Sequence, residues 1–115
     1  MEFHYEQVTP ELLRSMTDAV VAVAQPWRVI LFGSHARGDA RADSDVDLIV
    51  VEERPFGPGR SRFAEAGRLG QALSRFLVSK DILVYSREEF ERWAGSRNHV
   101  IARAVREGRV LYERG

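Results

Sequence analysis

The sequence predicts an α/β fold of the α+β kind, a mixed β-sheet with helices packed on one face. Two observations carry this. Three short β-rich runs, WRVILF (27–32), VDLIVV (46–51) and DILVY (81–85), alternate with stretches whose apolar residues recur at helical spacing. The segment between the first two runs is too short for a crossover helix of normal length, so those strands are expected as neighbours in a sheet of mixed direction. At 115 residues, a single domain spanning 1–115 is expected, large enough for one core with two layers of secondary structure.

The elements follow in order. Thr9-Pro10-Glu11 is a helix start: an N-cap hydroxyl, proline at the first helical position and an acid in the first turn. Leu12, Met16, Ala19, Val20 and Val23 then recur at helical spacing as a core stripe, and the pattern ends at Gln25-Pro26. Trp27–Phe32 is the first strand, stopped by Gly33; Val46–Val51 is the second, polar at its start and apolar at its finish. EERPFGPGR (52–60), with two prolines and two glycines, is a loop. Ser61 caps a helix expected to run to about Leu77, with Phe63, Ala66, Leu69, Leu73 and Phe76 on one face. Asp81–Tyr85 is the third strand. Ser86 and Glu89 have capping-box spacing and open a helix through Trp93. A last helix, roughly Asn98–Glu107, presents Ile101, Ala104 and Val105 inward and stops at Gly108. Val110–Tyr112 adds an edge strand.

Composition excludes several functions. The chain is 44% hydrophobic and 30% charged, an ordinary globular balance, and its 17 acidic and 17 basic residues leave no net field to draw it to nucleic acid or an anionic membrane. There is no cysteine, which removes disulfides, thiolate catalysis and cysteine-held zinc. The opening MEFHYEQVTPELL lacks a basic region followed by an apolar one, and no apolar run approaches transmembrane length; a cytoplasmic setting is expected. Of the basic residues only Lys80 is a lysine. Arginine forks suit phosphate and carboxylate, but a compositional habit explains the bias as well.

The chemistry concentrates in GSHARGDARADSDVDLIVV (33–51). Asp45 and Asp47 flank Val46, and strand side chains two apart share a face. The two carboxylates therefore point one way while Val46 and Leu48 point into the core. Without a counter-ion this pairing would raise one pKa sharply; with Mg²⁺ it becomes a pair of hard oxygen ligands, and two such ions are a standard way to activate a hydroxyl and stabilise a leaving phosphate. Asp81, opening the third strand, is the third candidate ligand, placed to share a metal and to help draw the proton from an attacking hydroxyl. Gly33 permits close backbone approach, and Ser34 with nearby amides can take terminal phosphate oxygens, helped by a helical turn over Ser34–Gly38.

These residues resemble the signature of the DNA polymerase beta-like nucleotidyltransferases: glycine-serine, a spacer, then aspartate-x-aspartate. GS-x-ARG followed by SD-x-DL is similar to the minimal nucleotidyltransferase branch, Asp81 in DILVY matches the family's third aspartate, and the closing REGRVLYE is similar to the ends of these small domains. The resemblance spans most of 27–112 without departure at the ligand positions. It implies the nucleotidyltransferase fold and transfer of a nucleoside monophosphate, AMP from ATP, to an acceptor hydroxyl with release of pyrophosphate. It also implies a partner: a HEPN-type toxin, adenylylated on a tyrosine by the transferase as its antitoxin.

Rival readings are a catalytically silent antitoxin that neutralises by covering its partner, and an antibiotic-modifying transferase working as a homodimer. Arg37 has two open roles, contacting a triphosphate or bracing the acidic loop through an ion pair. His35 is read as exposed and idle, and Asp43 as a solvated acid before the strand. Arg92 and His99 resemble the spacing of the partner ribonucleases, but no tyrosine follows two residues later and the match is read as coincidence. Trp27 and Trp93 are assigned to core or interface.

Overall fold

The computed structural model describes residues 7–115; the first part of the opening segment read for a leader lies outside the described residues. The order is α1 (Pro10–Ala24), β1 (Arg28–Phe32), α2 (Ser34–Arg37), β2 (Val46–Glu52), α3 (Arg62–Ala72), β3 (Lys80–Ser86), α4 (Arg87–Trp93), α5 (Val100–Glu107) and β4 (Arg109–Glu113). The four strands form one sheet in the order β3-β2-β1-β4. β1 runs antiparallel to both β2 and β4, while β2 and β3 are parallel. The sheet is therefore mixed, with α3 as the crossover between its two parallel strands. No helix among the described residues is long and apolar enough to cross a membrane.

The local signals act as read. Thr9 accepts the Leu12 amide at 3.1 Å and Pro10 opens α1. The helix ends at Gln25, a left-handed residue at φ 46°, before Pro26. Ser86 and Glu89 form both bonds of the capping box, at 3.2 and 2.8 Å. The start of α5 differs: His99, not Asn98, is its N-cap, with Nδ1 accepting the Ile101 amide. Gly108 ends that helix with extended backbone (φ −85°). Glycine is needed there for space, since a Cβ would lie 2.4 Å from the Ala104 carbonyl oxygen and 2.8 Å from that of Leu31.

Helices cover both faces of the sheet, where one was expected. Leu13, Met16 and Val20 of α1 and Leu69 of α3 pack on Val29, Leu31, Leu48 and Val50. On the other face Phe90 of α4 and Ile101 and Ala104 of α5 pack on Ile30, Ile49 and Val51. The cause is the uninterrupted run Leu48-Ile49-Val50-Val51, whose alternate residues emerge on opposite faces and are all fully buried. α3 also stops short, at Ala72 rather than Leu77; Leu73 and Phe76 reach the core from the following turn. Phe63 is 89% exposed. Steps of three residues fall short of a helical turn, so Phe63 stands roughly 120° around the helix from Leu69. On α5, Ala102 is buried and Val105 half exposed.

At the far end of β2 the last residue, Glu52, is 4% exposed. Arg60 donates to its Oε1 at 2.5 Å, and Oε2 has no hydrogen-bond partner among the described residues. Burial, followed by the neighbouring carboxyl of Glu65 of α3, pushes the Glu52 carboxyl up to about 7.

Candidate active site

The opposite end of β2 carries the acids. Asp47 is its second residue and sits between Phe32 of β1 and Asp81 of β3 in the pairing register. Parallel neighbours in register project to the same side of a sheet, so Asp47 and Asp81 share the face covered further along by α4 and α5. Val46 and Leu48 point the other way and are fully buried. This half-and-half character of VDL fixes the strand's register, because a one-residue slip would bury the carboxylate and expose two core side chains.

Asp45 lies just before β2 and is exposed. Its Oδ1 accepts a hydrogen bond from the Ser79 hydroxyl, while the Val46 amide donates to the Ser79 carbonyl at 2.8 Å. Ser79 thus ties the acidic segment to the residue pair that opens β3. Its signal in the sequence is the polar Ser79-Lys80 step before DILVY.

Asp47 is the half-buried member of the group. Desolvation, then the charges of Asp45 and Asp81, hold its carboxyl above the ordinary range, against smaller opposing effects of His35 and Arg37. Among the described residues, no three or more His, Cys, Asp or Glu side chains close into a group that could hold a metal ion; Asp45 is turned to Ser79 instead. The chemistry of the donor set nevertheless fits a hard divalent cation. Carboxylate oxygens come from neighbouring strands, and the central one is penalised for its charge by the other two.

Gly33 abuts this centre. It has φ 75°, and a Cβ there would lie 2.3 Å from Asp47 Oδ2. Only glycine fits both the left-handed backbone and the approach of the carboxylate. Gly33 is the N-cap of the single turn α2, which closes at Gly38 in the left-handed region. The Ser34 side chain makes no hydrogen bond among the described residues, while its carbonyl takes the Gly38 and Asp39 amides.

His35 is half-buried, and its Nε2 lies 3.1 Å from the Ser44 carbonyl oxygen. It is thus not the idle side chain expected, but ties α2 to the acidic loop. Arg37 pairs with Asp39 at 3.3 Å and lies 3.9 Å from Glu107 of α5, so the bracing role is the one its contacts display. Asp43 is exposed in the turn before β2, as expected. His99 stacks on Trp93 at 4.8 Å and caps α5. Trp27 is core, packed edge-on against Phe90. Two hollows flank α2. One of about 540 Å³ is bordered by Val8, His35 and residues 40–43. The other, of about 100 Å³, lies between Phe32, Gly33, Arg37 and Val100, Arg103 and Glu107 of α5.

A sheet end bearing aspartates on adjacent parallel strands is faced by a glycine-serine turn. Residues 17–112 match the family model described as nucleotidyltransferase domain, and the chain belongs to that family. By family it is a nucleotidyltransferase. Two proteins of Methanocaldococcus jannaschii, each named "Putative protein adenylyltransferase", are similar to it. One is 45% identical over 58 residues, which cover 50% of this chain and about half of the relative (52%). The other is 33% identical over 88 residues, covering 74% and 77%. A solved "putative minimal nucleotidyltransferase" is 36% identical, with a TM-score of 0.58 over 88% of this chain and 94% of that one. A structure described as a toxin-antitoxin with AMP-PNP shares the fold at 20% identity, with a TM-score of 0.54 over 88% and 73%.

Proposed function

We propose that residues 1–115 act as one cytoplasmic nucleotidyltransferase domain that moves AMP from ATP to a hydroxyl of a partner protein, a tyrosine of a HEPN-type toxin, and so serves as its antitoxin. The observation that carries this reading is the crowding of Asp47 by Asp45, Asp81 and the Gly33 backbone. Similarity to proteins named as adenylyltransferases supports the adenylyl group and a protein acceptor. The fold shared with a toxin-antitoxin structure supports the kind of partner.

Asp45, Asp47 and Asp81 would hold Mg²⁺, two ions in the full scheme. When bound, the metal supplies charge neutralisation at the polyphosphate and lowers the proton affinity of the attacking hydroxyl. The chain's own residues do the rest. The Ser34 hydroxyl and the α2 turn receive terminal phosphate oxygens. Gly33 keeps the backbone close to the Asp47 carboxylate with no side chain between. Asp81, exposed on the outer strand, accepts the proton of the acceptor hydroxyl. The acceptor oxygen bonds to the α-phosphorus, the bond from that phosphorus to the bridging oxygen breaks, and pyrophosphate leaves.

The test incubates the protein with α-labelled ATP, Mg²⁺ and the protein encoded beside it. Label on a partner tyrosine is expected with the wild type, falling at least about a hundredfold with Asp45→Asn. Equal labelling by both proteins, or none by either, defeats the proposal. Neutralisation of the partner by an Asp47→Asn variant without label would assign the role to binding alone.

A further inference from the structure

We propose that the arginine-lined hollow over the end of β2 remote from the acids binds a phosphate-bearing anion, at a site independent of the transferase reading. Glu52 closes β2 five residues beyond Asp47, roughly 17 Å along the strand. A hollow of about 420 Å³ lies there, bordered by the end of α1, the segment after β2, α3 and Arg114. Its wall is charged. Arg54, Arg60, Arg68 and Arg114 border it together with Glu52, Glu53 and Glu65.

Two of the three acids are engaged as anions. Glu65 gives both oxygens to Arg68, at 2.9 and 3.0 Å, and Glu53 lies 3.0 Å from Arg87 and 3.6 Å from Arg114. Glu52 is different. Only its Oε1 is bonded, by Arg60, and burial keeps the carboxyl protonated up to about pH 7. In that state four guanidinium groups face two ionised carboxylates, and the field in the hollow favours an anion. The excess of two positive charges matches a phosphate dianion better than a single carboxylate. Arg54 forms no ion pair among the described residues, and its planar fork suits two oxygens of a tetrahedral oxyanion. Gln25 adds a neutral donor. Its backbone turns left-handed at φ 46°, where glycine is the usual choice, so a side-chain amide stands at the border instead of none. A metal ion is disfavoured by the arginines, and among the described residues no His, Cys, Asp or Glu group closes around one.

Sulfate is the probe, because its double charge stays constant while Glu52 titrates. The full chain is titrated at constant ionic strength, without divalent metal, and followed by NMR of the arginine Nε–H resonances. Sulfate is expected to shift Arg54 and to bind about tenfold more tightly at about pH 6 than at about pH 8, since Glu52 gives up its proton between them. Glu52→Gln, neutral at both, should remove that difference. Arg54→Ala, on an exposed side chain, leaves the core untouched and should weaken binding about tenfold. Inorganic phosphate and AMP, titrated in the same way, separate the sources: tighter binding of AMP at Arg54 assigns a phosphate ester, and equal binding the free ion. No shift of Arg54 with sulfate, equal wild-type affinity at the two pH values, or undiminished binding by Arg54→Ala would overturn the proposal. So would binding of methylguanidinium in place of sulfate, tightening as pH rises, because the ionised carboxylate would then be the recognising group.

Discussion

Gly33 concentrates the site's geometry in one backbone position. Its φ of 75° alone disfavours any other residue, and its Cβ would strike the carboxylate of Asp47. Gly33→Ala is expected to cost about 1–3 kcal/mol of stability and to reduce nucleotide transfer by about a hundredfold or more through displacement of Asp47. Urea denaturation and initial-rate measurements check the two effects separately, and a variant with wild-type turnover would show that Asp47 has no fixed position to lose. At this scale the placement was legible: Gly33, Ser34, Asp45, Asp47 and Asp81 all fall at one end of the sheet, although their carboxylates do not close into a metal-holding group among the described residues. What was not legible was the hydrogen bonding. That Asp45 takes the Ser79 hydroxyl, and that His35 holds Ser44, depends on where two loops meet in space. Sequence spacing carries no such information.

Among the elements, β2 ends beneath α3 in an unusual carboxyl. Glu52 at the end of β2 has its folded pKa pushed up to about 7, first by burial and then by the neighbouring carboxyl of Glu65. Between the ordinary glutamate value and that raised one, the folded protein retains a proton that the unfolded chain has released. Stability therefore falls as pH rises through about 4.5 to 7 and is level above it, at most about 3 kcal/mol in all. Glu65 is held low, chiefly by Arg68, so its own contribution changes below this window. Unfolding free energies measured across the range should show that slope, and Glu52→Gln should flatten it. A slope unchanged in the variant would place the proton elsewhere. The sequence marked 52–60 as a loop because of its prolines and glycines, and polarity alone put Glu52 in it. Only the tertiary cover of α3 shows that the glutamate ends a strand and is buried.

For the molecule as a whole, the mixed sheet and the order of elements were written in the local signals, while the layering was misjudged. Alternation was applied to VDL, where it is visible, and not to LIVV, where continuous apolarity means cover on both sides. The correction has a measurable form. Leu48→Ala, facing α1 and α3, and Ile49→Ala, facing α4 and α5, should each destabilise the chain by about 2–5 kcal/mol. An Ile49→Ala variant costing under about 1 kcal/mol in chemical denaturation would mean that the second face is not a core. The end of α3 was likewise overrun because Leu73 and Phe76 keep an apolar rhythm after the helix has unwound.

The parallel pairing of β2 with β3 also governs when the three acids meet. Asp45 and Asp47 enter early in the chain, but Asp81 reaches them only after α3 has crossed the sheet and closed a long loop. Contacts between residues so distant in the chain form late and slowly. During synthesis, a ribosome-bound chain that has emerged only as far as α3 already displays the glycine-serine turn and two acids but has no third. The topology thus defers the meeting of Asp81 with Asp45 and Asp47 until α3 and β3 have both been made.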